Sequence, residues 1–465
     1  MSDTGLPARR AALTALTAVE EDGAWSNLAV PAAVGDLASD QDRSFASHLA
    51  YDTLRWEGTL DWALGEVLSR PLTDVEPSLR RVLRLGALQL LRTGVPPRAA
   101  VDTCVSLARE QVPAGRAKGA GGFVNGVLRA LGRRVESLPW PDVEQDPVAN
   151  LARTTGHPRW MVTDLHRRFG TDRARAILTA DNEPPGLTLR ATGDRDALIA
   201  ELQDLDLAAT PGASAVAVRA RGGDPRRLDA VRDGRAVPQD EASMRVVEAA
   251  EVRPGARVLD LCAGPGGKAT YLAALAGPTG TVVAVEQHPH RARLVEEAAA
   301  RQGVDIEVRV GDATVPVDVG DATVPVEVGD ATVPVDDPGG FDVVLLDAPC
   351  TGLGTGRRRP EVRWRRTPSD VNDLSVLQRR LLDAAVAAVR PGGRLVYAVC
   401  TWTVAETDDV ARWCDDAHGG ALTPVDRRQL WPDTDDTDGM YIAVWDRSDQ
   451  AAGPAVTPGG YRPQG

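Results

Sequence analysis

Two cysteines stand where an apolar run gives way to a loop. FDVVLL leads into Asp347-Ala-Pro-Cys350, and RLV leads into Tyr397-Ala-Val-Cys400-Thr401. A thiolate is a strong carbon nucleophile and a neighbouring carboxylate can hold a proton, so two such ends on one cleft suit covalent catalysis. A third turn reads Asp260-Leu-Cys262-Ala263-Gly264-Pro265-Gly266-Gly267-Lys268 and opens a helix. Its glycines let the backbone approach a ligand and present amides at a helix N-terminus. Lys268 and Lys118 are the only lysines among 53 basic residues. A position that keeps lysine where arginine is the rule reads as crowded, because the ammonium is compact and the guanidinium a broad plane.

The acids narrow the ligand. Glu286 ends the run TVVAVE, where it would face ribose hydroxyls, and Asp312 follows DIEVRV. With a G-P-G-G loop in place of G-x-G-x-x-G, these acids suit S-adenosylmethionine, which offers ribose hydroxyls, an adenine amine and a carboxylate but no phosphate. A methyl donor beside two thiols and Asp347 suits cytosine. Its C5 is a poor nucleophile until a thiolate adds to C6. An acid at N3 would then stabilise the adduct, and a base must remove the C5 proton before the thiol leaves.

Such residues need a scaffold, and the hydrophobic pattern supplies one. From residue 236 to 447 apolar runs (ARVLDLCAG, TVVAVEQ, DIEVRVGD, FDVVLLDAP, RLVYAVCT, MYIAVWDR) alternate with helical segments, which predicts a doubly wound, mostly parallel sheet. In that arrangement ligands bind beyond the carboxyl ends of the strands, and the Cys350 and Cys400 ends are neighbours. Residues 1–140 show apolar residues at three- and four-residue spacing between Pro, Gly and Asp breaks, an all-helical domain. Residues 141–235 mix helix with the strand-like GLTLRAT and AVAVRARG, a small α+β adaptor, and 448–465 reads as a disordered tail. Within 310–336 the unit VGDATVPV(D/E) occurs three times, a loop duplication that leaves Asp312, Asp321 and Asp330 as rivals for one cofactor contact. Asp312 is favoured because it follows the strand directly.

Composition sets the limits. The 465 residues carry a net charge of −13, so a nucleic-acid partner needs a local basic patch. Arg357, Arg358, Arg359, Arg363, Arg365 and Arg366 with Trp364 form one in the sequence, the arginines for phosphates and the indole for a splayed base. The five cysteines show no C-x-x-C spacing, which argues against zinc and a disulfide framework, and Cys104 and Cys414 read as small buried hydrophobes. No apolar run is long enough to span a membrane and the N-terminus has no secretory pattern, so a cytoplasmic monomer is expected.

DLCAGPGGKAT, DAPCTGLGTGRRRPEVRW and QRRLLDAAVAAVRPGGRLVYAVCT resemble the motifs of RNA 5-methylcytosine methyltransferases. DRSFASHLAYDTLRW, LRLGALQLL, VPPRAAVD and GGFVNGVLRAL resemble the NusB-like domain that precedes them in the RsmB/Sun group of ribosomal RNA small-subunit methyltransferases. The resemblance implies a Rossmann-like methyltransferase domain behind a helical RNA-binding one, acting on small-subunit ribosomal RNA. It implies Cys400 as nucleophile, Cys350 as the residue assisting release, Asp347 on the base and Lys268 in the active-site loop. Cofactor contacts are implied from Cys262 through Lys268, with Glu286, Asp347 and one repeat aspartate. The chain departs from the family's usual residues at Gly264, Ala398, Val399, Thr401 and Thr407. Open alternatives are another RNA substrate, including transfer RNA, and a non-catalytic RNA-binding assembly factor; a nicotinamide dehydrogenase would leave both thiols without roles.

Overall fold

The computed structural model describes residues 5–314 and 340–449. Asp321, Asp330 and most of the repeat lie outside them, as does nearly all of the tail. The chain divides into two compact units, Met1–Pro184 with Thr355–Thr367, and Pro185–Gly354 with Pro368–Gly465.

The first unit is helical. Helices at Leu6–Glu20, Asp40–Arg55, Pro77–Arg92, Pro97–Glu110 and Ala114–Arg134 bury one core that includes Leu13, Leu16, Leu49, Leu83, Leu88, Leu107 and Leu128. Three of them carry proline in the first turn, where a missing N–H costs nothing. Two further helices, Pro147–Thr155 and Arg159–Ala180, cluster with this unit. The segment Thr355–Thr367 joins the unit although it lies far along the chain, immediately after the Cys350 loop.

The second unit holds two sheets. Strands β1 (Leu187–Ala191), β2 (Ala208–Pro211), β3 (Ala217–Arg221) and β4 (Ala236–Pro238) form an antiparallel sheet in the order β2-β3-β1-β4. Strands β5 (Arg257–Asp260), β6 (Thr281–Glu286), β7 (Glu307–Val310), β8 (Phe341–Asp347), β9 (Val389–Val399), β10 (Leu422–Leu430) and β11 (Met440–Arg447) form the larger sheet in the order β10-β11-β9-β8-β5-β6-β7. The members β5 to β9 run parallel, while β11 lies antiparallel to β9 and β10 antiparallel to β11. The central strands are buried on both faces, as Val258, Leu259, Val344, Leu345, Leu395 and Val396 show, which is why they read as unbroken apolar runs. This is the Rossmann-like sheet expected from the sequence, and it places the ends of β5, β8 and β9 side by side. The edge strand β10 was not expected. Its sequence LTPVDRRQL buries only its two end residues and carries a proline, so it lacks an apolar signal.

Candidate active site

The strand ends bring the chemistry together. Cys350 follows β8 and Cys400 follows β9, and their sulfurs stand 3.4 Å apart. Lys268, on the first turn of the helix Gly267–Ala276, places Nζ 2.6 Å from Oδ2 of Asp347. Burial works against the lysine's charge, but Asp347 more than offsets it, and Cys400 and Asp260 add to a net upward shift of its pKa. The ammonium thus stays charged. Cys350 is held well above the ordinary thiol range, first by its hydrogen bond with Cys400, then by burial and by the carboxylates of Glu406 and Asp347. Two thiols this close resist double ionisation, and these neighbours favour the neutral form of Cys350.

The glycine loop fits the cofactor. Gly266 has φ 103°, a left-handed conformation that glycine adopts without strain, and it starts the helix Gly267–Ala276. A Cβ on Gly264 would stand 2.3 Å from Oε2 of Glu286, so alanine there would require the carboxylate to move. Glu286, at the end of β6, accepts hydrogen bonds from Gly264 N at 3.2 Å and His288 N at 3.0 Å. Arg291 braces both, donating to the Gly264 carbonyl at 2.6 Å and pairing with Glu286 at 3.3 Å. Asp260, fully buried at the end of β5, has no hydrogen-bond partner of ordinary geometry for either carboxylate oxygen, and burial followed by Asp347 pushes its pKa up to about 7. An orphaned acid beneath a glycine loop fits a ligand that brings donors. Asp312 lies exposed just past β7, one residue beyond a Gly311 amide that bonds the Glu286 carbonyl at 3.1 Å.

Sequence reasoning missed three of these neighbours. Asp260 lies inside the quoted loop motif, but its orphaned state shows only in the fold; Arg291 and Glu406 sit in helical segments with no motif. Cys262, in the loop, is raised well above the ordinary thiol range by burial and then Asp260. Cys104 and Cys414 are fully buried in their cores.

The arginine segment needs correction. Arg363 is 1% exposed and donates to Asp181 Oδ2 at 2.7 Å and Asn182 Oδ1 at 2.8 Å. Arg357 is 6% exposed, with Nε on the Glu183 carbonyl at 3.2 Å. Arg365 donates to the carbonyls of Val19, Gly23 and Ala24 at the end of the helix Leu6–Glu20. Trp364 is half-buried, its indole N–H enclosed and its ring where a Cβ on Gly58 would stand, 2.7 Å away. Arg357 and Arg363 are therefore interior ties of the helical unit and cannot meet RNA in this state, and Trp364 packs within the unit instead of offering an open stacking face. Arg358 and Arg359 keep intermediate exposure.

Known proteins bear on this geometry. Residues 247–446 match the family model for 16S rRNA methyltransferase RsmB/F, residues 6–133 the NusB family, and residues 157–221 the ferredoxin-like domain of RsmF/B-like methyltransferases. A Mycobacterium tuberculosis H37Rv relative named only as a methyltransferase is 39% identical over 94% of this chain and 96% of its own. Ribosomal RNA small subunit methyltransferase B of Pseudomonas putida is 32% identical over 94% of this chain and 97% of its own. In fold, the crystal structure of PH0851 superposes with a TM-score of 0.80 at 23% identity, over 96% of this chain and 99% of its own. The sheet order, the glycine loop and these relatives together place the chain in the RsmB family of S-adenosylmethionine-dependent small-subunit ribosomal RNA methyltransferases.

Proposed function

We propose that the enzyme methylates C5 of a cytosine in small-subunit ribosomal RNA through a covalent adduct between Cys400 and C6. The observation that carries this reading is the pair of thiols 3.4 Å apart at adjacent strand ends, beside the Lys268–Asp347 pair. S-adenosylmethionine, when bound, supplies the methyl group from its sulfonium. Residues 262–268, Glu286, Asp312, Asp347 and the orphaned Asp260 would hold it. Cys400 forms the S–C6 bond as its thiolate, and the electron pair of the C5=C6 bond moves toward C5 and, through the C4=N3 bond, onto N3. Lys268 and Asp347 offer a donor and an acceptor to the N3 and N4 edge of the base. After C5 carries the methyl, a base takes the C5 proton, the C–H electron pair re-forms the C5=C6 bond, and Cys400 leaves C6 as its thiolate. Cys350, held as a neutral thiol, lies close enough to Cys400 to assist that departure.

Bisulfite sequencing of ribosomal RNA from a strain lacking the gene tests the reading. We expect one 5-methylcytosine of the small subunit to disappear and to return with the wild-type gene. A methylation pattern identical in both strains overturns it.

A further inference from the structure

Glu406 is a fully buried carboxylate of the second unit, carried on a short turn between β9 and the helix Asp408–His418. Burying an ionised acid costs several kcal/mol unless it is well paired, so its surroundings need explanation. Oε1 accepts from the Thr351 amide at 2.8 Å and Gln378 Nε2 at 3.2 Å, and Oε2 from the hydroxyls of Thr351 at 2.6 Å, Thr403 at 2.7 Å and Thr401 at 3.3 Å. A carboxylate has about four lone-pair sites, and no other side chain accepts so many bonds. Gln378 also donates to the Pro349 carbonyl at 2.9 Å, and the Thr351 and Thr401 hydroxyls meet at 2.8 Å. The residues on both sides of Cys350 and the residue after Cys400 are therefore tied to one carboxylate.

We propose that Glu406 is a positioning residue that sets the spacing of the two thiols, locking the Cys350 and Cys400 loops to each other through Thr351, Thr401 and Gln378. This rests on the assignment of both thiols to the reaction, so its test reads thiol geometry without RNA. Core packing alone does not account for the arrangement, since an apolar side chain would fill the volume without the desolvation cost.

Phenylarsine oxide is the probe. It bridges two close thiols by forming two As–S bonds, while its oxygen leaves as water with both thiol protons. Wild-type protein should take up one equivalent, and the Cys350→Ala control should lose it. Glu406→Ala should bind the arsenical at least about tenfold more weakly, as several charge-assisted bonds are lost, with cofactor affinity by calorimetry changed less than about twofold. Glu406→Gln should stay within about threefold of wild type, because its oxygen keeps the Thr351 amide and its NH2 faces hydroxyls able to rotate and accept. If Glu406→Ala does not fold, Thr351→Val keeps the side-chain shape and removes the hydroxyl tie, with about a threefold loss expected. Capture equal to wild type in the alanine variant, or in Thr351→Val where the alanine variant fails to fold, overturns the proposal. So does a glutamine variant as weak as alanine. Failure of the cytosine reading would leave this arsenical pattern intact, so the two are separable.

Discussion

The Cys350 loop and the arginine segment that follows it are adjacent in the chain, and both carry residue types suited to a substrate. One keeps its reactive groups at the strand ends, with sulfur near sulfur and ammonium on carboxylate. The other turns its arginines inward, onto Asp181, Asn182, Glu183 and the helix-end carbonyls. Both use ion pairs, Lys268 with Asp347 half-buried and Arg363 with Asp181 fully buried. The difference lies in what surrounds them. Near Lys268 the buried Asp260 has neither carboxylate oxygen paired, whereas Arg363 donates from both terminal nitrogens to Asn182 and Asp181, and the same Asp181 oxygen meets His157, leaving only Arg363 Nε and Asp181 Oδ1 without a partner among the described residues. The contrast is one of degree: a carboxylate with neither oxygen paired leaves room for a ligand's donors, and a cation paired at both ends serves as a structural tie.

The largest effect should come from the thiols. Cys400→Ala should reduce methylation by roughly 10^4-fold or more while still binding cofactor, as expected for loss of a nucleophile. Cys350→Ala should methylate once and then remain attached to its RNA, seen as a protein–RNA band surviving denaturing electrophoresis. A trapped band in Cys400→Ala but not in Cys350→Ala would exchange the two roles.

On the other side of the comparison, Arg363→Ala should destabilise the helical unit by about 3–5 kcal/mol, because it leaves the Asp181 carboxylate buried without its cation. Denaturant melts would show it. A loss below about 1 kcal/mol would fit a dispensable surface charge and sink the interior-tie account.

The same network predicts a pH effect. His157 is 2% exposed, with Nε2 3.0 Å from Asp181, and burial followed by Arg363 holds its pKa down to about 4. The unfolded chain takes up this proton near the ordinary value of about 6.5, so between these limits the unfolded state binds more protons and stability falls as pH drops. The contribution is complete above about 6.5 and about 3 kcal/mol smaller below 4. His157→Gln should flatten that part of the stability profile; an unchanged slope would locate the proton elsewhere.

Glu286→Ala should weaken S-adenosylmethionine binding about 10- to 100-fold by calorimetry, the range for losing a charge-assisted hydrogen bond. Asp312→Ala should weaken it less, since that carboxylate is exposed and already accepts from Thr314 N at 2.9 Å. Equal affinities in Glu286→Ala and wild type would remove Glu286 from the site.

The sheet and its reactive ends were legible because parallel strands are apolar throughout and the residues after them break the run, as FDVVLLDAPC shows. Strand β10 was not, because an edge strand alternates with solvent. Nor was the fate of the arginines, because nothing local to RRRPEVRWRR indicates that Asp181 and Asn182, far earlier in the chain, will fold against Arg363. Glu406 was missed for the same reason: its donors come from three separate segments.

The smallest effect tests what remains of the basic patch. Arg359 keeps intermediate exposure, and its guanidinium lies 5.3 Å from the centre of the Trp25 ring, a contact a phosphate could share because the ring leaves its donors free. Arg359→Ala should change stability by no more than about 0.5 kcal/mol, the range for surface substitutions. If Arg359 meets the RNA backbone, the same variant should reduce the slope of log affinity against log salt by about 0.7, the value for one phosphate contact on a single strand. Titrations at several salt concentrations separate this from a general loss of binding, which would lower affinity without altering the slope. An unchanged slope would mean that Arg359 makes no phosphate contact.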